Sequence, residues 1–124
     1  SINDKPIEIF GDGKSTRDYI HVDDICDGII ASIHRLLNRK EPTFEKFHLG
    51  NNQEISLNEL SKIIEDCSNK KLLRNFKGLR KGEVIRNCAE YNLAEKILNF
   101  KPKKKFEEEI PNLYEWIRIN EFNT

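Results

Sequence analysis

Residues 10–24 constrain the fold more than any other stretch. They read Phe-Gly-Asp-Gly-Lys-Ser-Thr-Arg-Asp-Tyr-Ile-His-Val-Asp-Asp. A short apolar run ending at Phe10 meets Gly-Asp-Gly, and a polar loop leads through Arg17 to a second apolar run at residues 19–22. Two aspartates then open a long helical pattern. One reading is an anion-binding corner. Glycine reaches backbone angles closed to other residues, and arginine offers a rigid fork of donors suited to phosphate. The plainer reading is a polar hairpin loop with a surface arginine, because one Gly-x-Gly loop is a weak signal.

The remaining pattern interleaves strands and helices. Residues 7–10 and 18–22 are expected strands. Asp23 is the expected N-cap of a helix, with Asp24 placed favourably against its dipole. Ile25, Ile29, Ile33 and Leu37 fall four apart, with Ile30, Ala31 and Leu36 widening the stripe, so this helix should bury one broad face. Pro42 blocks its continuation. Residues 46–49 form a further expected strand. Ser56 and Glu59 make a capping box for a helix with Leu57, Leu60, Ile63, Ile64 and Cys67 on its apolar side. Short strands are expected at 72–76 and 84–85. A helix capped by Asn92 should stop at Asn99 in a left-handed turn. In the last helix, from Phe106 through Trp116, Pro111 should force a kink or a late start. The tail from residue 120 should fray. The fold class is mixed α/β, an α+β arrangement of short strands and about four helices, treated as one unit over residues 1–124.

Composition excludes several roles. The 21 basic and 21 acidic side chains cancel, so no global field points to nucleic acid or membrane. Apolar runs are far too short for a membrane span, and no signal-peptide pattern is present. The basic run at residues 101–105 reads as a solvated linker. Cys26, Cys67 and Cys88 are odd in number and far apart, so they are expected to be reduced and structural, in a cytoplasmic protein. No C-x-x-C pair suggests a metal. The chain has no Met, and it reads as a piece of a longer protein.

Catalytic chemistry is thin. His21, His34 and His48 have no evident partner set. His21 and Asp23 share a face by strand alternation but read as structural. His21, Asp23 and Asp24 match no standard metal spacing. Two basic corners remain: Arg17 after Gly11 and Gly13, and Arg80 between Gly78 and Gly82. If they converge, they can clamp a diphosphate through charge-assisted bonds.

Residues 9–24 closely resemble a signature of the nucleotide-sugar epimerase/dehydratase family, which are extended short-chain dehydrogenase/reductases. Three later stretches resemble that family in order and spacing. They are Phe-His-Leu-Gly-Asn at 47–51, Arg-Lys-Gly-Glu-Val at 80–84, and Ala-Glu-Tyr-Asn-Leu-Ala-Glu-Lys-Ile-Leu-Asn-Phe-Lys-Pro at 89–102. The resemblance spans almost the whole chain. It implies the C-terminal, substrate-binding portion of a Rossmann-type enzyme. The family's Gly-x-x-Gly-x-x-Gly turn and Tyr-x-x-x-Lys pair do not occur in these 124 residues. NAD is therefore expected in a full-length parent and not on this portion, which would carry no catalytic acid or base. Carried over by position, Phe10 would line the nucleobase, and Arg17 and Arg80 would hold the diphosphate. Tyr19 would lie beside the substrate, and Glu83 would reach the ribose. Glu83 stands where the family usually has Asp, His48 where it has Asn, and Lys81 where it has Pro.

The resemblance implies a UDP- or dTDP-sugar as ligand and a 4-epimerase as parent. The same portion of a 4,6-dehydratase or decarboxylase is the alternative. A stand-alone nucleotide-diphosphate binding module is the rival from another class. The long helix and the strand near Phe47 would belong to a Rossmann layer. Without that layer they should leave an unpaired strand edge and an exposed apolar face, and the fragment should self-associate.

Overall fold

The computed structural model describes residues 5–121. Its elements run β1 (Ile7–Phe10), β2 (Thr16–Asp18), α1 (Val22–Leu37), β3 (Glu54–Ser56), α2 (Leu57–Ser68), β4 (Arg74–Lys77), α3 (Asn92–Leu98) and α4 (Phe106–Glu121). The strands form two small pairs. β1 and β4 run parallel, with Ile9 opposite Phe76; β2 and β3 run antiparallel, with Arg17 opposite Ile55. α2 packs on α4, and α1 on α3. Buried apolar side chains are few: Ile9, Ile55, Ala94, Phe100 and Phe106.

Several elements form where local chemistry places them. Ser56 Oγ accepts from Glu59 N–H, and the Glu59 carboxylate accepts from Ser56 N–H, closing the expected capping box. Asn99 takes the left-handed conformation that ends α3.

Other elements differ, each for an identifiable reason. β2 lies at Thr16–Asp18, upstream of the expected 18–22, because its partner β3 is short and pairs only there. The cap of α1 is His21, not Asp23; its Nδ1 accepts from Asp23 N–H at 3.1 Å. Asn92 is the first residue of α3 rather than its cap, and Tyr91 occupies the cap without a side-chain bond. α4 begins at Phe106, upstream of Pro111. Phe106 is buried, and the N–H groups of Glu108 and Glu109 both donate to the Lys105 carbonyl. Neither 46–49 nor 84–85 forms a strand. Residues 46–49 are irregular, with no ladder partner among the described residues, although alternate side chains are still half-buried. Ile85 contributes a carbonyl to Thr16 N–H at 2.8 Å. The tail expected to fray lies largely outside the described residues.

The largest departure is the face that α1 buries. Asp24 and Gly28 are its buried residues, and Ile29, Ile33 and Leu37 of the expected inward stripe are 50%, 50% and 77% exposed. Gly28 permits close approach to the 46–49 segment, since a Cβ there would lie 2.6 Å from Leu49 Cδ1. Cys26, expected on the apolar side, is exposed, as is Cys88.

Candidate functional site

The loop after β1 is shaped by two glycines with positive φ, Gly11 at 84° and Gly13 at 76°. Other residues rarely adopt these angles. The loop folds against its own chain. Asn58 N–H donates to the Gly13 carbonyl at 3.0 Å, and the Asn58 amide donates to the Asp12 carbonyl at 3.1 Å. A Cβ at Gly13 would strike the Asn58 side chain. The chain then enters β2, and this sets Arg17.

Arg17 is held by three acceptors. Nη1 donates to the carbonyls of Thr16 at 2.8 Å and Val84 at 2.7 Å, and Nη2 donates to Glu83 Oε1 at 3.1 Å. Arg17 and Glu83 are each about one-quarter to one-third exposed, so a solute can reach them. Glu83 is fixed in turn by its N–H, which donates to the Arg80 carbonyl at 3.1 Å. The Arg80 guanidinium carbon lies 3.5 Å from the centroid of the Phe10 ring, within cation–π range. Gly11 lets Leu79 pack closely; a Cβ at Gly11 would lie 3.1 Å from Leu79 Cδ2. Phe10, Arg17, Arg80 and Glu83 are therefore joined by direct contacts at the C-terminal end of β1. That corner offers an aromatic face, two guanidinium groups and a carboxylate.

Tyr19 stands elsewhere. Its ring packs 4.9 Å from that of Phe106, and it lines a groove of about 630 Å³ with His21, Val22, Leu113 and Trp116.

Two aspartates of the opening motif have roles that periodicity could not reveal. The Asp18 carboxylate accepts from the backbone N–H groups of Asn51, Asn52 and Ala89, at 3.0 to 3.1 Å. Gly50 makes this possible: a Cβ there would lie 2.5 Å from Ala89 Cβ and 2.8 Å from Asp18 Oδ2. Asp24, 2% exposed, accepts from the N–H groups of Lys103 and Lys104 at 3.0 and 3.1 Å. The two carboxylates thus tie distant loops to the segment that carries Arg17. The only sequence signal for them is their place in the motif.

Glu54 is a further carboxylate anchor nearby. Arg86 donates to it through Nε and Nη2, and Thr16 Oγ1 donates as well. Those donors, Arg86 first, hold its pKa down at about 2. Among the described residues no cluster of His, Cys, Asp and Glu is arranged to hold a metal, and no helix is long and apolar enough to cross a membrane.

The matching family model is described as GDP-mannose 4,6 dehydratase, and it covers residues 2–113. The chain belongs to the nucleotide-sugar epimerase/dehydratase family. Within that family's extended short-chain dehydrogenase/reductase architecture it corresponds to the C-terminal portion. A UDP-glucuronate 4-epimerase of Thermodesulfobacterium geofontis is 35% identical over 118 residues, which is 94% of this chain and 35% of that protein. A UDP-glucose 4-epimerase of Cyamopsis tetragonoloba is 36% identical over 111 residues, 90% of this chain and 31% of that one. The solved UDP-glucuronic acid 4-epimerase from Bacillus cereus, in complex with UDP-glucuronic acid and NAD, superposes with a TM-score of 0.83 at 27% identity. The match covers 95% of this chain and 37% of that one. This chain spans about a third of the length of the curated relatives it matches.

The family's dinucleotide does not fit the glycines present here. Gly11-Asp12-Gly13 leads into a strand rather than a helix, and the Asn58 side chain already sits where a Cβ of Gly13 would lie.

Proposed function

We propose that this chain is the nucleotide-sugar binding portion of an NAD-dependent 4-epimerase, and that it is inactive alone. The observation that carries this reading is the contact chain from Phe10 through Arg80 and Glu83 to Arg17. A nucleoside diphosphate has a flat base with a π face, a sugar with hydroxyls and two adjacent anionic groups. Phe10 offers the base a stacking face. Arg17 and Arg80 offer the diphosphate charge-assisted, fork-shaped donors. Glu83 offers an acceptor for ribose hydroxyls. Tyr19 would border the sugar from the groove side. The chain would bind and orient its ligand. The acid, the base and the hydride carrier NAD would sit on residues outside it, so no chemical step is assigned to the residues present.

The same portion of a 4,6-dehydratase is the second reading, favoured by the description of the matching family model. Three free cysteines and an evenly charged composition suit a reducing, cytoplasmic setting.

The test is a calorimetric titration of UDP and dTDP into the wild-type chain and into Arg17→Ala. The expected outcome is binding by the wild type, weakened at least about tenfold in the variant, as for loss of a hydrogen bond to a charged group. Equal affinity in the two proteins would remove Arg17 from the site.

A further inference from the structure

We propose that this corner is closed on itself, with two of its own side chains standing where a nucleoside diphosphate would bind. The inference rests on the binding reading above and adds how that site is regulated. Glu83 occupies the position of a phosphate oxygen at Arg17. Arg17 Nη1 is committed to the carbonyls of Thr16 and Val84. Any bidentate grip on a phosphate must therefore use Nη2, which belongs to both donor edges of the fork. Glu83 Oε1 takes one of the two Nη2 protons, at 3.1 Å, and sets its negative charge beside the Nε–Nη2 edge that a phosphate would use. On the other side, the Arg80 guanidinium covers the Phe10 ring at 3.5 Å, where a base would stack.

The two glycines beside these side chains have open space around them. Gly78 and Gly82 bracket Arg80, and apart from their chain neighbours no residue comes within 4 Å of where a Cβ would sit on either. Lys81 between them is exposed. Ligand entry then breaks two internal contacts and frees four side chains for the ligand. The diphosphate takes Arg17 and Arg80, the base takes Phe10, and Glu83 is released toward the ribose. The longer Glu at 83 matters, because its extra methylene extends the carboxylate's reach toward Arg17.

Inorganic pyrophosphate, UDP and uridine separate the two halves of the closure. Glu83→Gln should bind pyrophosphate about threefold or more tighter than wild type, because Arg17 loses its internal anion. Phe10→Leu frees Arg80 and should also tighten pyrophosphate, by about two- to fivefold, the worth of an exposed cation–π contact. The same variant should weaken uridine, which has only the ring and the ribose to offer. Glu8→Gln is the charge control; Glu8 lies on β1 and pairs with Lys77 at 3.5 Å.

If the wild type binds UDP through Arg17 but Glu83→Gln leaves pyrophosphate unchanged or weaker, the binding reading stands and the closure fails. An equal gain in Glu8→Gln also overturns the closure, since net charge alone would explain it. If the wild type is silent toward pyrophosphate, the closure requires measurable binding in Glu83→Gln; silence in both overturns it. Loss of Arg17 dependence for UDP removes the binding reading itself.

Discussion

Asp18 and Arg17 are neighbours with opposite duties. Arg17 spends its donors on the Thr16 and Val84 carbonyls and on Glu83 at a partly exposed corner, and Asp18 gathers three backbone N–H groups. Asp18→Ala leaves those donors without their acceptor. Bonds to charged groups contribute about 1.5–3 kcal/mol each, and their losses do not add fully. We expect a destabilisation of about 2–4 kcal/mol, read from urea unfolding. Asp24→Ala should cost about 1–3 kcal/mol by orphaning the Lys103 and Lys104 N–H groups. A value near zero for either would show that water replaces the carboxylate. These roles were illegible in the sequence. Helix patterning placed Asp24 as a dipole partner, and the N–H groups that donate to its carboxylate lie some eighty positions away.

α1 shows how an element can be read correctly and oriented wrongly. Its span and amphipathicity follow from the spacing of its isoleucines. The face it buries here is the narrow one, Asp24 and Gly28, because that face meets the 46–49 segment and the 103–104 backbone. The broad stripe is left outside. Ile29, Ile30, Ile33 and Leu36 are each about half exposed, and Leu37 more. The nearby 46–49 segment adds an edge with no ladder partner among the described residues. Such a face drives association when water is its only neighbour. Light scattering at high micromolar concentration should show dimers or larger species. Ile29→Glu with Ile33→Glu should shift the distribution toward monomer by at least about tenfold in dissociation constant, since each buried isoleucine contributes about 1.5–3 kcal/mol. A clean wild-type monomer would refute self-association.

At the scale of the whole molecule, few apolar side chains are buried and many carboxylates are paired. Five large or small apolar residues are buried, while Glu54, Glu45, Glu65 and Glu109 all have pKa values held low by bonded donors. For Glu54 the sign is clear. Its folded value, about 2, lies below its ordinary 4.5, so the unfolded chain binds the proton more readily. Its stabilisation is complete above pH 4.5 and disappears as pH falls through about 2. The urea midpoint should therefore drop between pH 5 and pH 2.5, and the drop should be smaller in Glu54→Gln. Parallel curves would show that the Arg86 and Thr16 contacts do not couple protonation to folding.

Local features were legible from neighbouring residues: the capping box at Ser56 and Glu59, the left-handed stop at Asn99, the glycine turn after β1, and the mixed order of strands and helices. Each depends on residues within a few positions of one another. The sequence also pointed, through the order of four motifs, to the residues of the corner that begins this chain's most informative stretch. The rest came from contacts between distant parts of the chain. The pairing of Arg17 with Glu83, the seating of Arg80 on Phe10, the separation of Tyr19 from both, and the outward face of α1 depend on contacts across the chain. Such contacts depend on which surfaces are available to bury, and no local spacing encodes that.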